Sequence, residues 1–159
     1  MKFNSALRNF VLVLFSTLLI SACSTAKKAA VDTVDDVYTG TDTVEYLAKG
    51  VPDRVFFATN KSKLTTRSRD TLRKQATFLR KNKDLTVTLE GHADERGTRE
   101  YNLALGERRA NAAKDYLMTY GVSGKRISVI SYGKEKPVNP ASSPLAWSQN
   151  RRSVTIKAN

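Results

Sequence analysis

LTVTLEGHADERGTREYN, residues 85–102, changes its periodicity halfway along. Leu85, Val87 and Leu89 alternate with Thr86, Thr88 and Glu90, the period of two that buries one face of a β-strand and leaves the other outside. From Gly91 the alternation stops and reactive side chains crowd together: His92, the chain's only histidine, then Asp94, Glu95, Arg96, Arg99 and Glu100. Thr98 carries the hydroxyl an N-cap needs, and Glu100 falls in the first turn, where negative charge suits the helix dipole. A helix is therefore predicted from Arg99 to Tyr120, stopped by Gly121. The order strand, charged loop, capped helix is the unit from which the rest is read outward.

Upstream, Arg54–Phe57 is a short apolar strand. Thr66–Asn82 reads as a helix, because Leu72, Ala76 and Leu79 recur at i, i+4 and i+7, with Phe78 beside them. Its other faces carry Arg67, Arg69, Arg73, Lys74, Arg80 and Lys81, followed by Lys83: a solvated face, or one drawn to an anionic surface. Downstream, residues 126–132 (RISVISY) form a strand that is apolar on both faces, which points to the middle of a sheet. Gly133–Ala141 is loop. Ser143-Pro144 is an N-cap followed by proline at the first helical position, so Leu145–Asn150 is a short helix. Arg152–Ile156 is the last strand. Strands alternating with helices define an α/β sandwich. The short final connection leaves room for an antiparallel member, so the expected sheet is mixed, of about four strands, with helices packed on one side.

The first 22 residues belong to something else. Lys2 and Arg8 precede an apolar run, Phe10–Ile20, that is too short for a bilayer core, which needs about 20 residues. Small residues follow it, as in a secretory signal. The single cysteine, Cys23, stands directly after Ile20-Ser21-Ala22. That arrangement resembles the lipobox of bacterial lipoproteins, and the resemblance implies acylation of Cys23 and, with Ser24 rather than aspartate behind it, delivery to the outer membrane. Removing residues 1–22 takes Lys2 and Arg8 away and lowers the formal charge from +12 to +10. So basic a chain suits nucleic acid, anionic lipid or an acidic polymer; export excludes the first and leaves envelope polymers. Residues 24 to about 50 hold scattered valines and few other apolar groups, and read as a tether. The expected organisation is residues 1–22 as signal, 23–52 as lipidated cysteine and flexible tether, and 53–159 as a binding domain.

His92, Asp94 and Glu95 invite a metal, but zinc wants three or four ligands, typically His or Cys, and no second histidine exists. A calcium loop would need more acidic ligands at regular offsets. His92 is read instead as a structural histidine bonded to nearby backbone. Two carboxylates on one short loop cannot flank a sugar bond, and neither a G-x-S-x-G elbow nor a Cys–His pair is present. No enzyme, cofactor or metal is expected. On a wheel of the second helix, Asn102, Arg109, Ala113 and Tyr120 fall within about 20° of one another. Arg109 thus lies in or beside the apolar stripe, where arginine needs an anion. Asp94 can supply it. Two readings follow: an internal Asp94–Arg109 salt bridge, or a pair held apart to grip the ammonium and carboxylate of an amino-acid head.

Residues 91–98 (GHADERGT), 100–102 (EYN), 105–110 (LGERRA), 131–137 (SYGKEKP) and 150–152 (NRR) together resemble, in order, the peptidoglycan-associated lipoproteins and, more broadly, the OmpA-like C-terminal domains, from about Arg54 to the end of the chain. The resemblance implies a βαβαβ-type domain that binds the diaminopimelate-bearing peptide stem of peptidoglycan without cutting it. It makes Asp94 the key aspartate and Arg109 the key arginine. Arg96, Thr98, Asn102 and Leu105 would support them, with Phe57, Ala58 and Thr59 from the loop after the first strand. It further implies partnership with TolB and other Tol-system proteins, and a tie between outer membrane and cell wall that serves division. One departure stands out: residues 56–61 (FFATNK) lack the carboxylate the family often carries there. The rival expectation is an envelope scaffold whose main ligand is a protein, with Asp94–Arg109 a salt bridge.

Overall fold

The computed structural model describes residues 36–158; the signal-like segment 1–22, Cys23 and the tether as far as residue 35 lie outside the described residues. The elements are β1 (Tyr46–Ala48), β2 (Val51–Pro52), β3 (Arg54–Phe56), α1 (Thr66–Lys81), β4 (Thr86–His92), α2 (Arg99–Thr119), a 3-10 turn (Gly124–Arg126), β5 (Ile127–Gly133), α3 (Pro144–Asn150) and β6 (Arg152–Ala158). β1 and β2 form a small antiparallel hairpin, and the main sheet runs β3-β6-β4-β5. β4 and β5 are parallel, whereas β6 is antiparallel to both β3 and β4. The expected mixed four-stranded α/β sheet is thus the observed one.

The alternation in β4 does what its period requires. Val87 and Leu89 are 1% and 0% exposed and pack with Val55, Ile127 and the apolar stripes of α1 and α2. Each such side chain contributes roughly 1.5–3 kcal/mol by leaving water. The opposite sheet face is more open, with Ile130 and Ile156 both exposed. Thr65 caps α1 by accepting from the Ser68 N–H, and Thr98 caps α2 by accepting from the Tyr101 N–H. Gly121, at φ 82°, ends α2 in the left-handed turn that favours glycine. At the other end of α1, Arg126 donates to the carbonyls of Leu79 and Asn82, closing the last turn from a distant strand connection. The basic side chains of α1 named above are all exposed.

Two expectations change. β5 is an edge strand, not a central one: its valine and isoleucines report strand preference, and Ile130 simply faces outward. The centre is taken by β4 and β6. β6 shows no apolar alternation because it buries polar residues, and Thr155 among them is paired: its Oγ1 donates to Gln75 Oε1 at 2.8 Å, and Gln75 in turn donates to the Pro52 carbonyl. Residues 36–52, read as slack tether, are also packed on the domain. Tyr38 and Leu47 are buried, the Tyr38 ring meets Phe56 edge-on at 4.8 Å, and Gln149 donates to Asp42 at 2.9 Å. Few residues in this segment are apolar, yet two well-placed ones, Tyr38 and Leu47, together with backbone pairing hold it.

One contact sets the site. A Cβ on Gly91 would lie 1.8 Å from the Gly106 carbonyl oxygen, so α2 rests directly on the backbone at the end of β4. Any side chain at Gly91 would lift the helix.

Candidate functional site

The close approach of Gly91 and Gly106 brings residues 92–98 and the inner face of α2 together at the carboxyl end of β4. Asp94 is 7% exposed. Its Oδ1 accepts from the Arg96 backbone N–H at 3.1 Å, a tight local turn, and from Arg96 Nε at 3.0 Å. Its Oδ2 accepts from Arg96 Nη2 at 2.8 Å and lies 3.4 Å from Arg151 Nη1. Burial pushes the Asp94 carboxyl up, but these hydrogen bonds and charges prevail and hold it below the ordinary carboxylate value. It is an ionised acid gripped by an arginine fork.

Arg109 is fully buried and pairs with no carboxylate among the described residues. Its Nε donates to Lys61 O at 2.9 Å, Nη1 to His92 O at 2.8 Å and Nη2 to Ala58 O at 3.1 Å, while its guanidinium lies 5.3 Å from the Phe57 ring centre. Burial, then repulsion from Arg151, lowers its pKa to about 9, still far enough above neutrality that it remains a cation. The Asp94–Arg109 salt bridge is therefore not formed. Arg109 instead staples the loop after β3 to the end of β4.

Arg151, 3% exposed, does the same from the other side. It donates through Nε to Phe57 O at 3.1 Å, and its own carbonyl accepts from the Phe57 N–H. Thus two buried guanidinium groups hold residues 57–61 by their carbonyls, which leaves the Thr59 N–H pointing elsewhere. Arg96 completes the wall: it lies 4.3 Å over the Trp147 ring and donates to Thr59 Oγ1 at 3.3 Å. Glu95 ties Trp147 in place, accepting from Trp147 Nε1 at 2.8 Å and from Ser142 Oγ at 3.0 Å. These bonds hold the Glu95 carboxyl below its ordinary value. The result is a groove of about 400 Å³ lined by Asp36, Thr59, Arg96, Leu145, Trp147 and Arg151, among others.

Of the residues the sequence nominates, Thr59 and Arg96 line this groove and Asp94 lies immediately beneath Arg96. Ala58 belongs to the loop and gives its carbonyl to Arg109, which stands behind it, and Asn102, buried, donates to the Arg96 carbonyl at 2.9 Å. Thr98 is the helix cap. Phe57 and Leu105 are buried as packing, 0% and 3% exposed. His92 is buried too, but neither ring nitrogen finds a hydrogen-bond partner among the described residues, and only its backbone carbonyl serves the site. Burial, then the charges of Arg152, Lys136 and Arg54, push it down to about 3. Among the described residues no group of three or more His, Cys, Asp or Glu could hold a metal ion. Asp36, Trp147 and Arg151 are missed as site residues by sequence reasoning. Arg151 carried a signal, a cation just before an otherwise buried strand; Asp36 carried none.

An α/β domain whose mixed sheet ends in an arginine-walled groove, with a buried carboxylate held by one of its arginines, has the layout of a binding module rather than of a catalytic centre. The OmpA family model matches residues 56–151. A peptidoglycan-associated lipoprotein of Mesorhizobium japonicum is 42% identical over 93% of this chain and 91% of its own length. One from Rhizobium meliloti is 55% identical over 67% of this chain, but the match spans only 60% of that relative. The crystal structure of the peptidoglycan-associated lipoprotein from Burkholderia pseudomallei matches with a TM-score of 0.65 at 34% identity, over 67% of this chain and 90% of that one. The chain belongs to the OmpA family, among its peptidoglycan-associated lipoproteins.

Proposed function

We propose that the domain binds the diaminopimelate-bearing peptide stem of peptidoglycan without cleaving it, and so ties an outer membrane to the cell wall. The observation that carries this reading is the groove itself: a carboxylate held ionised at Asp94 beside two donors that the sheet and helices leave over, the Arg151 guanidinium and the Thr59 N–H. A zwitterionic amino-acid head fits both signs. Its ammonium takes Asp94 as Arg96, which is 42% exposed at its side chain, turns outward. Its carboxylate takes the donors of Thr59 and Arg151. Arg109 acts through the loop it staples. The acid missing from residues 56–61 leaves backbone N–H groups as that loop's contribution.

Family membership supports the remaining assignments: acylation at Cys23, an outer-membrane location with the domain facing the periplasm, and partnership with TolB and other Tol proteins in division. The rival, an envelope scaffold whose main ligand is a protein, comes with an Asp94–Arg109 salt bridge, and that bridge is absent from the described geometry. Titrating the whole chain and its Asp94→Asn variant with a soluble diaminopimelate-containing stem peptide tests the proposal. Saturable binding by the native chain, weakened about tenfold or more in the variant, is expected, since a charge-assisted pair is at stake. Equal binding by both, or none by either, removes it. Loss of labelled palmitate incorporation in a Cys23→Ala variant tests the anchor separately.

A further inference from the structure

The carboxylate seat of the groove is already taken by the chain's own N-terminal segment. Asp36 Oδ2 accepts from the Thr59 backbone N–H at 2.6 Å and lies 3.4 Å from Arg151 Nη2, which also donates to the Asp36 carbonyl. These are the donors that residues 57–61 and Arg151 leave over once their other bonds are made. The charges explain the preference. Arg96, Arg109 and Arg151 converge on this corner; among the described residues from position 53 onward Asp94 is the carboxylate in ion-pair contact with Arg96 and Arg151, and Glu95 adds a weaker attraction on Arg96. Asp36 adds a second carboxylate where the guanidinium groups need one. Its ordering is no accident of one contact, because the following residues are fixed independently: Tyr38 against Phe56, and Asp42 to Gln149. Holding the segment at these points keeps the Asp36 carboxylate at high effective concentration beside its seat. Its side chain is nevertheless 41% exposed, so nothing seals it in.

We propose that Asp36 is an internal stand-in for ligand: it fills the carboxylate seat formed by Thr59 N–H and Arg151, and a carboxylate from outside binds only by displacing it. This rests on the reading of the groove as a stem-peptide site, and it adds a regulatory element to that site: whatever pulls the N-terminal segment away opens the seat, and whatever lets it settle closes it. The stand-in reproduces one half of a zwitterion. It offers no ammonium to Asp94, which remains with Arg96.

The apparent affinity of a site that is free only a fraction of the time falls by that fraction, so a seat nine-tenths filled weakens ligand about tenfold. The test compares the whole chain with its Asp36→Ala variant in two measurements. The first is acetate, a bare carboxylate, followed by the amide resonance of Thr59 and the Nε resonance of Arg151. Acetate is expected to move both in the variant, toward their native positions, and to leave the native chain unaffected. The second is the stem peptide, expected to bind the variant about three- to tenfold more tightly. Equal responses to acetate in the two proteins, or none in the variant, overturn the internal stand-in, as does a stem-peptide affinity unchanged by the substitution. Acetate acting on the variant alone while stem peptide binds neither protein retains the stand-in and removes the stem-peptide reading. Unchanged methyl spectra show that the variant keeps the fold.

Discussion

Replacing Arg109 by methionine, which keeps most of the length of the side chain and removes its donors, separates holding the loop from touching the ligand. Three carbonyls lose their partner: His92 O in a buried setting, and Lys61 O and Ala58 O in partly buried ones. A buried acceptor left unpaired costs about 2–3 kcal/mol, and each partly wetted one about 1 kcal/mol. The recovered cost of burying a charge and the end of repulsion from Arg151 offset this only in part, since a hydrogen bond to a charged donor is worth roughly 1.5–3 kcal/mol net of desolvation. The net loss is about 3 kcal/mol, which for a domain of this size lowers the melting midpoint by roughly 10–15 °C. Urea denaturation gives the free energy and circular dichroism the midpoint. Arg109→Lys, which restores one charged donor, should recover part of it. If Arg109 were only a ligand contact, methionine would change stability by less than about 0.5 kcal/mol, the usual range for a residue without internal partners, and a result that small would refute the staple. For the same reason, loss of peptidoglycan binding on substituting Arg109 does not by itself report a direct contact.

The pH dependence carries a second expectation. His92 is near 3 in the fold and 6.5 in the unfolded chain, so the unfolded state binds more protons between those values; stability is full above pH 6.5 and falls as pH drops toward 3. His92→Gln should flatten that slope relative to the native chain in matched urea titrations, and parallel slopes would contradict it. Gly91→Ala places a methyl against the Gly106 carbonyl and should cost about 3 kcal/mol or more while displacing α2; a crystal structure with α2 unmoved would show the contact to be soft. Trp147 is the chain's single tryptophan and lines the groove. Titration with stem peptide should therefore give a saturable change in intrinsic fluorescence at the same Kd found by calorimetry, and calorimetric binding without a fluorescence change would place the ligand elsewhere.

The elements that own a clean period are legible in the sequence itself. β4 and α1 follow from spacing alone, and α2 and α3 from their caps. Pairing between distant residues is not legible there. β6 reaches the centre of the sheet through Thr155 and Gln75, two polar residues that no hydropathy pattern would bring together. The position of Arg109 in an apolar stripe demands a partner, expected to be an anion, but three carbonyls meet it instead, two from the loop after β3 and one from the end of β4. An arginine's need for acceptors is written in its burial; which acceptors meet it depends on where distant backbone passes. The same limit hid Asp36, whose role depends on a contact 23 residues away in sequence.

The placement of charge in the groove follows from this. Guanidinium groups buried on carbonyls are costly unless every donor is used, and Arg109 uses its Nε and both terminal nitrogens on backbone. Arg151 uses Nε and Nη1 on the domain's own sheet and loops, and its Nη2, at the groove, is met only by Asp36 of the N-terminal segment. On the proposed reading, that Nη2 is what makes the corner a binding site instead of a finished core: a donor fixed in direction by a buried arginine, next to a backbone N–H fixed by a stapled loop, so that only Asp36 and Arg96 have to move for a ligand. A carboxylate placed there meets a preset pair of donors, whether it comes from Asp36 or from outside. If the proposed reading holds, affinity is decided by the competition between the two and by the second contact at Asp94, which only an ammonium-bearing ligand can add.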